Sequence, residues 1–416
     1  MIIGRRVGRK KRSALVNYRR VREDQVAIFA KTLIPTTEEK ISPIEFEKRD
    51  GELFIPILAE IWKSLGYLPR LKDFVEGGKG IEHKGEDDST LPKGAVRVSE
   101  TEVEGLPKGF AGWNELQLTH ELPKTKWINL DQAVIRRPLH GTRTGCPQIL
   151  LNYPGVSRKS WRLKALVDMK GHPVTSDFNV LRYSGQDFGT DVLWGILNSP
   201  LANAYAYAHS SKRHVLVGTI REMPMIDLKS ADTKALREFV QDYRTAAKGT
   251  RPLKKRQDSS TSSQMPLQLD GESDFDPGKE VNLKYLHWRI DAEVLRLYNL
   301  SADHERRILD LFTGVQRRGV PFVQNEYFPK GFTALDRLSE MLAITADWDD
   351  TNERRCILIR KDVRGGLKEA ESDELAELES LADARIALTN LLYPTPPSEL
   401  DLIRERLILE GKWDEE

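Results

Sequence analysis

The residues with the most chemistry in them lie between Gln148 and Met225. Ser157-Arg158-Lys159-Ser160-Trp161-Arg162 packs cations, hydroxyls and an indole into one short run, and Lys212-Arg213 follows later in the same stretch. Cationic side chains suit phosphate and an aromatic ring suits a base, so the combination points to a polyanion. Arg158, Lys159, Arg162, Lys212 and Arg213 are candidate phosphate contacts, and Ser157 and Ser160 could add short hydrogen bonds. Trp161 reads either as a stacking ring or as the anchor of its loop to the core. His140-Gly141-Thr142-Arg143-Thr144-Gly145 is a second, glycine-flanked basic loop. It makes Arg143 a further candidate, with an ordinary solvated turn as the alternative.

The catalytic constellations are incomplete. Asp168-Met169-Lys170 has part of the acid-x-Lys spacing with which a nuclease holds a metal and supports its nucleophile. A strand ending in a polar turn accounts for the same residues more cheaply. Gly77-Gly78-Lys79-Gly80 lacks the Gly-Lys-Ser/Thr ending of a phosphate-cradling loop, which leaves a tight turn. The eight histidines show no ligand-like spacing, and no Gly-x-Ser-x-Gly elbow occurs. Methyl transfer to a flipped adenine needs a cofactor loop and an Asn/Asp/Ser-Pro-Pro-aromatic turn around the amino group. Asn152-Tyr153-Pro154-Gly155 and Asn198-Ser199-Pro200-Leu201 lack the double proline and the aromatic after it. The sequence therefore supplies no catalytic, cofactor-binding or metal-binding set.

The positioning elements can be read from the apolar patterning. Ile149 to Leu151, Ala165 to Val167 and Phe178 to Leu181 are short apolar runs between turn signals, as in strands. Val192, Leu193, Ile196, Leu197 and Leu201 predict a helix over 192–204 that backs the sheet, and Asn198-Ser199-Pro200 is a point where a helix ends or breaks. Upstream, Phe54, Ile57, Leu58, Ile61, Trp62 and Leu65 share one helical face over 52–65. Residues 83–112 read as a polar surface loop, and Leu236, Phe239, Val240 and Tyr243 as another helix. The run from Gly249 to Lys279 loses periodicity and reads as a linker. Beyond it, stripes at Leu286, Ile290, Val294 and Leu297, at Ile308, Leu309 and Phe312, and at Leu375, Leu378, Leu381, Ala382 and Ile386 predict packed helices, with a last one over 400–409.

The expectation is an α+β protein: a small mixed α/β recognition domain, a linker, then a C-terminal helical region. In numbers, 1–67 is a basic arm and helical segment, 68–246 the recognition domain, 247–282 the linker and 283–416 the helical domain. At 416 residues the chain has room for two or three domains. Net charge of +1 gives no global pull on nucleic acid, but cations crowd the first thirty residues and acids the last fifty. Two distant cysteines exclude a disulfide framework and a four-cysteine zinc site. With no span-length apolar run and no signal-type core, the expected place is the cytoplasm, away from membranes.

The stretch resembles the C-terminal target-recognition half of bacterial adenine DNA methyltransferases of restriction–modification systems, including fused restriction–methylation enzymes. The resemblance rests on Gln148-Ile149-Leu150-Leu151-Asn152, Ser157-Arg158 with Trp161-Arg162, Leu193-Trp194-Gly195-Ile196-Leu197-Asn198-Ser199-Pro200-Leu201-Ala202-Asn203-Ala204, Lys212-Arg213, and Arg221-Glu222-Met223-Pro224-Met225. Leu71 to Val75 looks like the start of such a domain. Arg317-Arg318-Gly319-Val320-Pro321-Phe322 looks like the segment that follows it. The likeness runs from Leu68 to about Phe328. It implies sequence-specific recognition of duplex DNA, with Arg158, Lys159, Ser160, Trp161, Arg162, Lys212, Arg213 and Arg143 at the interface. The family's catalytic domain has no counterpart here, so S-adenosylmethionine is expected only on a separate methyltransferase or restriction subunit. The chain is then either such a split subunit or the downstream part of a broken gene. Two rival readings stay open: a partner-binding scaffold with a helical C-terminus, and a metal-dependent nuclease using Asp168 and Lys170.

Overall fold

The computed structural model describes residues 15–22, 25–42, 56–155, 160–185, 189–209, 214–228, 230–250, 277–328, 337–343 and 348–392. They fall into two compact units, Met1–Tyr327 and Phe328–Glu416. The fold is α+β with a C-terminal helical region.

In the first unit, strand β1 (Val16–Arg20), helix α1 (Val26–Thr32) and strand β2 (Thr37–Ile41) come first, with β2 folded back antiparallel so that Val16 faces Ile41. Helix α2 (Pro56–Ser64) carries the expected apolar face, and Leu58, Ile61 and Leu65 are buried; positions 52–55 lie outside the described residues. Strand β3 (Val75–Lys79) leads into five short strands, β4 (Glu82–His83), β5 (Val98–Ser99), β6 (Lys108–Gly109), β7 (Lys126–Ile128) and β8 (Ile135–Arg137). They make two small sheets, β4–β8 and β5–β7–β6. Ile81, Ala111, Ile128 and Ile135 form a local core there, so the stretch expected as a surface loop is partly structured.

The three apolar runs are strands β9 (Gln148–Asn152), β10 (Ala165–Asp168) and β11 (Phe178–Tyr183), and with β3 they form an antiparallel sheet in the order β10-β9-β11-β3. Gly77 and Gly78 are not in a turn. They lie within edge strand β3, where a Cβ on Gly77 would run into the Val180 carbonyl oxygen and one on Gly78 into the His140 ring. Close backbone approach, not turn geometry, is what requires glycine here.

Helices α3 (Gly189–Leu197) and α4 (Pro200–His209) replace the single helix expected over 192–204. The break falls at Asn198–Ser199, since Pro200 has no N–H to continue the first helix and opens the second. Helix α5 (Val217–Arg221), helix α6 (Lys234–Ala246), helix α7 (Pro277–Leu297) and helix α8 (Ala302–Asp310) follow, the last capped by Ser301, whose hydroxyl accepts from the His304 amide. Helix α3 covers β9 and β10 and carries α6 and α7 on its other side. Gly195 lets them close: a Cβ there would stand 3.1 Å from Leu236 and 3.2 Å from Val240. Trp194, Tyr243 and His287 pack together in the resulting core, and Ile290 is buried beside Gly195. Helix α7 therefore shares a core with the elements before the expected linker, and the division between units falls after Tyr327 and not at 247–282; residues 251–276 lie outside the described ones.

The second unit contains α9 (Leu338–Ala343), α10 (Trp348–Val363) and α11 (Glu369–Leu392). Helices α10 and α11 are antiparallel and laced by Arg354–Glu374 at 2.7 Å, Arg355–Glu379 at 3.1 Å and Lys361–Glu371 at 2.5 Å. Leu358, Ala382 and Ala384 are buried, whereas Ile386 of the expected stripe is exposed. The helix expected over 400–409 lies outside the described residues. No described helix is long and apolar enough to cross a membrane.

Candidate nucleic-acid interface

The connection between β9 and β10 carries the basic, tryptophan-bearing run. Irregular backbone of this kind has N–H and C=O groups that no ladder satisfies, and buried ones must find partners. Three asparagines supply them. Asn152, at the end of β9, accepts from the Lys164 amide at 2.8 Å and donates to the carbonyls of Pro154 and Arg162. Asn203, on α4, accepts from the amides of Arg162 and Leu163 at 2.8 and 2.7 Å. Asn198, in the helix break, accepts from the Ala165 amide and donates to its carbonyl. All three are buried. The break before Pro200 is what turns Asn198 toward the strand, so the Leu-Asn-Ser-Pro motif acts as a clamp on the loop.

Trp161 is 1% exposed, edge-on to Phe312 and capped by the Arg317 guanidinium 4.5 Å from its ring. Arg317 is itself buried against Asp291 and donates to the Asn198 carbonyl. Burial lowers the Arg317 pKa, but Asp291 together with the Tyr327 and Tyr243 phenols outweighs this and holds it above the usual arginine range. Ser160 is buried too, its hydroxyl 3.5 Å from the Leu311 carbonyl. These two side chains anchor the loop and present almost no surface, so Trp161 is a core ring and not an exposed stacking platform, and Ser160 is turned toward the Leu311 carbonyl.

What the loop's ends do present is charge over aromatic rings. Lys79, the last residue of β3, lies 4.3 Å from the centre of the Tyr153 ring, and His214 stacks on Tyr153 at 4.8 Å with the planes 4° apart. Arg162 lies over Tyr207 at 5.3 Å. Burial draws its pKa below the usual arginine value, partly opposed by Tyr207. Among the described residues neither Lys79 nor Arg162 has a carboxylate within ion-pair distance. The His214 segment is fixed as the first loop is: Asn179 of β11 donates to the Val215 carbonyl at 2.9 Å, and the Val215 amide donates to Tyr153.

Arg143 is elsewhere. It pairs with Glu76 and so sits about 10 Å further along β3 from Lys79, given the rise of a strand. Its backbone is held by buried Arg182, which donates to the carbonyls of His140 and Arg143 and to the Gln148 side chain. Gln148 in turn donates to Asp168 at 2.8 Å. Asp168 is fully buried and also accepts from the amides of Lys170, Gly171 and His172, with the His172 Nδ1 at 2.9 Å. A carboxylate has about four lone-pair sites. All are taken by the turn, so Asp168 is a turn-closing group and the nuclease reading of Asp168 and Lys170 fails. Among the described residues, no three His, Cys, Asp or Glu side chains are grouped to hold a metal ion.

Of the sequence candidates, Arg162 stands at the loop's end, Ser160 and Trp161 are core, and Arg143 is at the other end of β3. Arg158, Lys159, Lys212 and Arg213 lie outside the described residues. Sequence reasoning missed Lys79, Tyr153, Tyr207 and His214. Their available signal was polar residues inside apolar runs, above all Asn179 and Arg182 in Phe178–Tyr183, which mark strands that hold loops. No family model matches the chain, and the search of curated proteins finds no match.

Proposed function

We propose that the protein recognises duplex DNA sequence-specifically, as the specificity part of a restriction–modification adenine methyltransferase in a bacterial cytoplasm. Methyl transfer and its S-adenosylmethionine then belong to a separate methyltransferase or restriction subunit that assembles with this chain. The observation that carries the reading is the pair Lys79 and Arg162. Each is held on an aromatic face at one end of the same clamped loop, without a carboxylate to neutralise it among the described residues. Such cations are positioned for phosphate and set register, leaving base edges to the residues between them. In this reading Arg158, Lys159, Lys212 and Arg213 are further phosphate contacts, with Arg143 a more distant one.

The test is fluorescence anisotropy of the full chain with labelled duplex over a salt series. Binding should weaken steeply with salt, and Arg158→Ala with Arg162→Ala should flatten the slope by roughly 0.9 for each phosphate left without its cation. A folded wild-type protein with no salt-sensitive affinity for duplex overturns the proposal and favours the scaffold reading.

A further inference from the structure

The stack of rings beside the clamped loop ends at the surface. Tyr153 is half-buried just past β9, with the Lys79 Nζ 4.3 Å from its ring centre and the His214 imidazole parallel to it at 4.8 Å, 4° between the planes. His214 is exposed, and among the described residues its side chain makes no hydrogen bond and no ion pair. Tyr153 takes one face of the imidazole, and among the described residues no ring lies on the other. The backbone beside this ring is fixed from below. Asn179 is 1% exposed inside the apolar run of β11, and its amide donates to the Val215 carbonyl at 2.9 Å. The Val215 amide donates to the Tyr153 carbonyl at 3.0 Å, which ties the residue after His214 to the residue on which its ring rests. A polar group buried in a strand is unfavourable unless it is bonded. Here that bond positions a histidine that is itself on the surface, support that an exposed side chain serving only solubility does not need.

A fixed, exposed aromatic face stacks on a nucleobase, and does so with little regard to sequence because every base has a π-face. Inside a duplex both faces of a base are taken by its neighbours, so a ring platform meets only a base that has left the stack. Lys79, on the same phenol, supplies a cation for the phosphate of that nucleotide. We propose that His214, backed by Tyr153, is the stacking platform for one unstacked nucleobase of the DNA. This rests on the reading of the chain as a DNA-binding protein and adds to it a base contact where that reading has only phosphates.

The experiment uses the full chain and three labelled DNAs of one sequence: a paired duplex, the same duplex with one bulged base, and the single strand, each carrying 5-iodouracil at the base in question. By anisotropy, His214→Ala should weaken binding of the bulged duplex by about five-fold or more, the size of one base–aromatic stack, and leave the paired duplex unchanged. His214→Phe keeps a flat ring and should bind the bulged duplex as wild type does. Both variants should melt as wild type does, since the ring is exposed. Irradiation of the wild type should cross-link the bulged iodouracil to His214, read by mass spectrometry, and the paired one should give no such product. The same pattern with the single strand and not the bulge assigns the base to single-stranded DNA and keeps the platform. If paired duplex binds but His214→Ala holds the other two DNAs as wild type does, if His214→Phe fails to restore binding, or if the cross-link falls elsewhere, the platform is wrong and duplex recognition stands. If the bulge or the single strand binds through His214 and paired duplex does not bind, the platform stands and duplex recognition falls. If the wild type binds none of the three, both fall.

Discussion

Asn203→Ala is the substitution that most directly tests how the clamped loop of the candidate interface is held. The side-chain oxygen accepts two backbone amides, Arg162 at 2.8 Å and Leu163 at 2.7 Å. Alanine leaves both without a partner. The Leu163 amide is fully enclosed, and an unmade buried donor costs about 1–3 kcal/mol. The Arg162 amide is half-buried, so water can recover part of its bond. The sum is about 2–4 kcal/mol, a large fraction of an ordinary domain's stability. Urea unfolding should show a lower midpoint with an unchanged slope, since the same surface is exposed on unfolding. Asn152→Ala adds a second arm. Asn152 donates to the Arg162 carbonyl while Asn203 accepts from the Arg162 amide, so the two asparagines hold one residue from both sides. Once either is gone the loop has already moved, and the double variant should cost at least about 0.5 kcal/mol less than the sum. A destabilisation below about 0.5 kcal/mol for Asn203→Ala, or strict additivity, would refute the clamp.

Three further outcomes are expected. His287 is buried among Trp194, Tyr243 and Phe322 with neither ring nitrogen hydrogen-bonded, and burial, reinforced by Arg317, holds its pKa well below 6.5. The unfolded chain gains a proton near pH 6.5 that the fold refuses. This group's contribution is therefore intact above that pH and is lost below it, by about 1.4 kcal/mol per pH unit. Unfolding free energies between pH 7 and 5 should fall more steeply for wild type than for His287→Phe, and parallel curves would contradict the assignment. Gly77→Ala drives a Cβ into the Val180 carbonyl, so the β3–β11 ladder must part and the thermal midpoint should drop by several degrees; an unchanged melt would show the edge strand can shift freely. Lys79→Ala removes a cation that, among the described residues, rests on the Tyr153 ring without an ion pair, a contact worth about 0.5–1 kcal/mol at an exposed site. Its stability should be nearly wild type while duplex affinity falls about ten-fold, the reverse of the pattern expected from the buried asparagines.

The sheet strands were legible because apolar runs bounded by turn signals have few other ways to be buried. The same holds for Leu58 and Ile61 on α2 and for Leu65 just after it, where period and burial coincide. The candidate interface was legible only in part. A tryptophan beside cations looks identical in sequence whether it stacks on a base or anchors a loop; what decides is Phe312 and Arg317, more than a hundred residues on, which no local pattern connects to Trp161. The expected linker rests on a loss of periodicity in the sequence, and periodicity says nothing of which core a later helix joins. Helix α7 meets α3 and α6 through Gly195, a packing set by the absence of a side chain. Likewise Gly77 and Gly78 read as a turn because glycine's commonest use is positive φ, whereas here they admit neighbouring atoms.

The polar residues inside the apolar runs were the overlooked signal, and their chemistry explains why amides hold these loops. Asn152, Asn179 and Asn203 each bond backbone groups of a connecting segment, not its side chains. A neutral amide offers donor and acceptor together and carries a far smaller desolvation penalty than a buried ion. A bond to backbone is indifferent to which side chain the loop residue bears. The loop's path is thus fixed by the sheet and by α4, and the side chains it displays can change without unmaking the bonds that position them. Arg317 and Asp291 are the exception, a buried ion pair that costs more to desolvate. Their place fits that cost: they lie under Trp161, beneath the surface the loop presents, where the fold has to be unique and no variation of the displayed residues reaches.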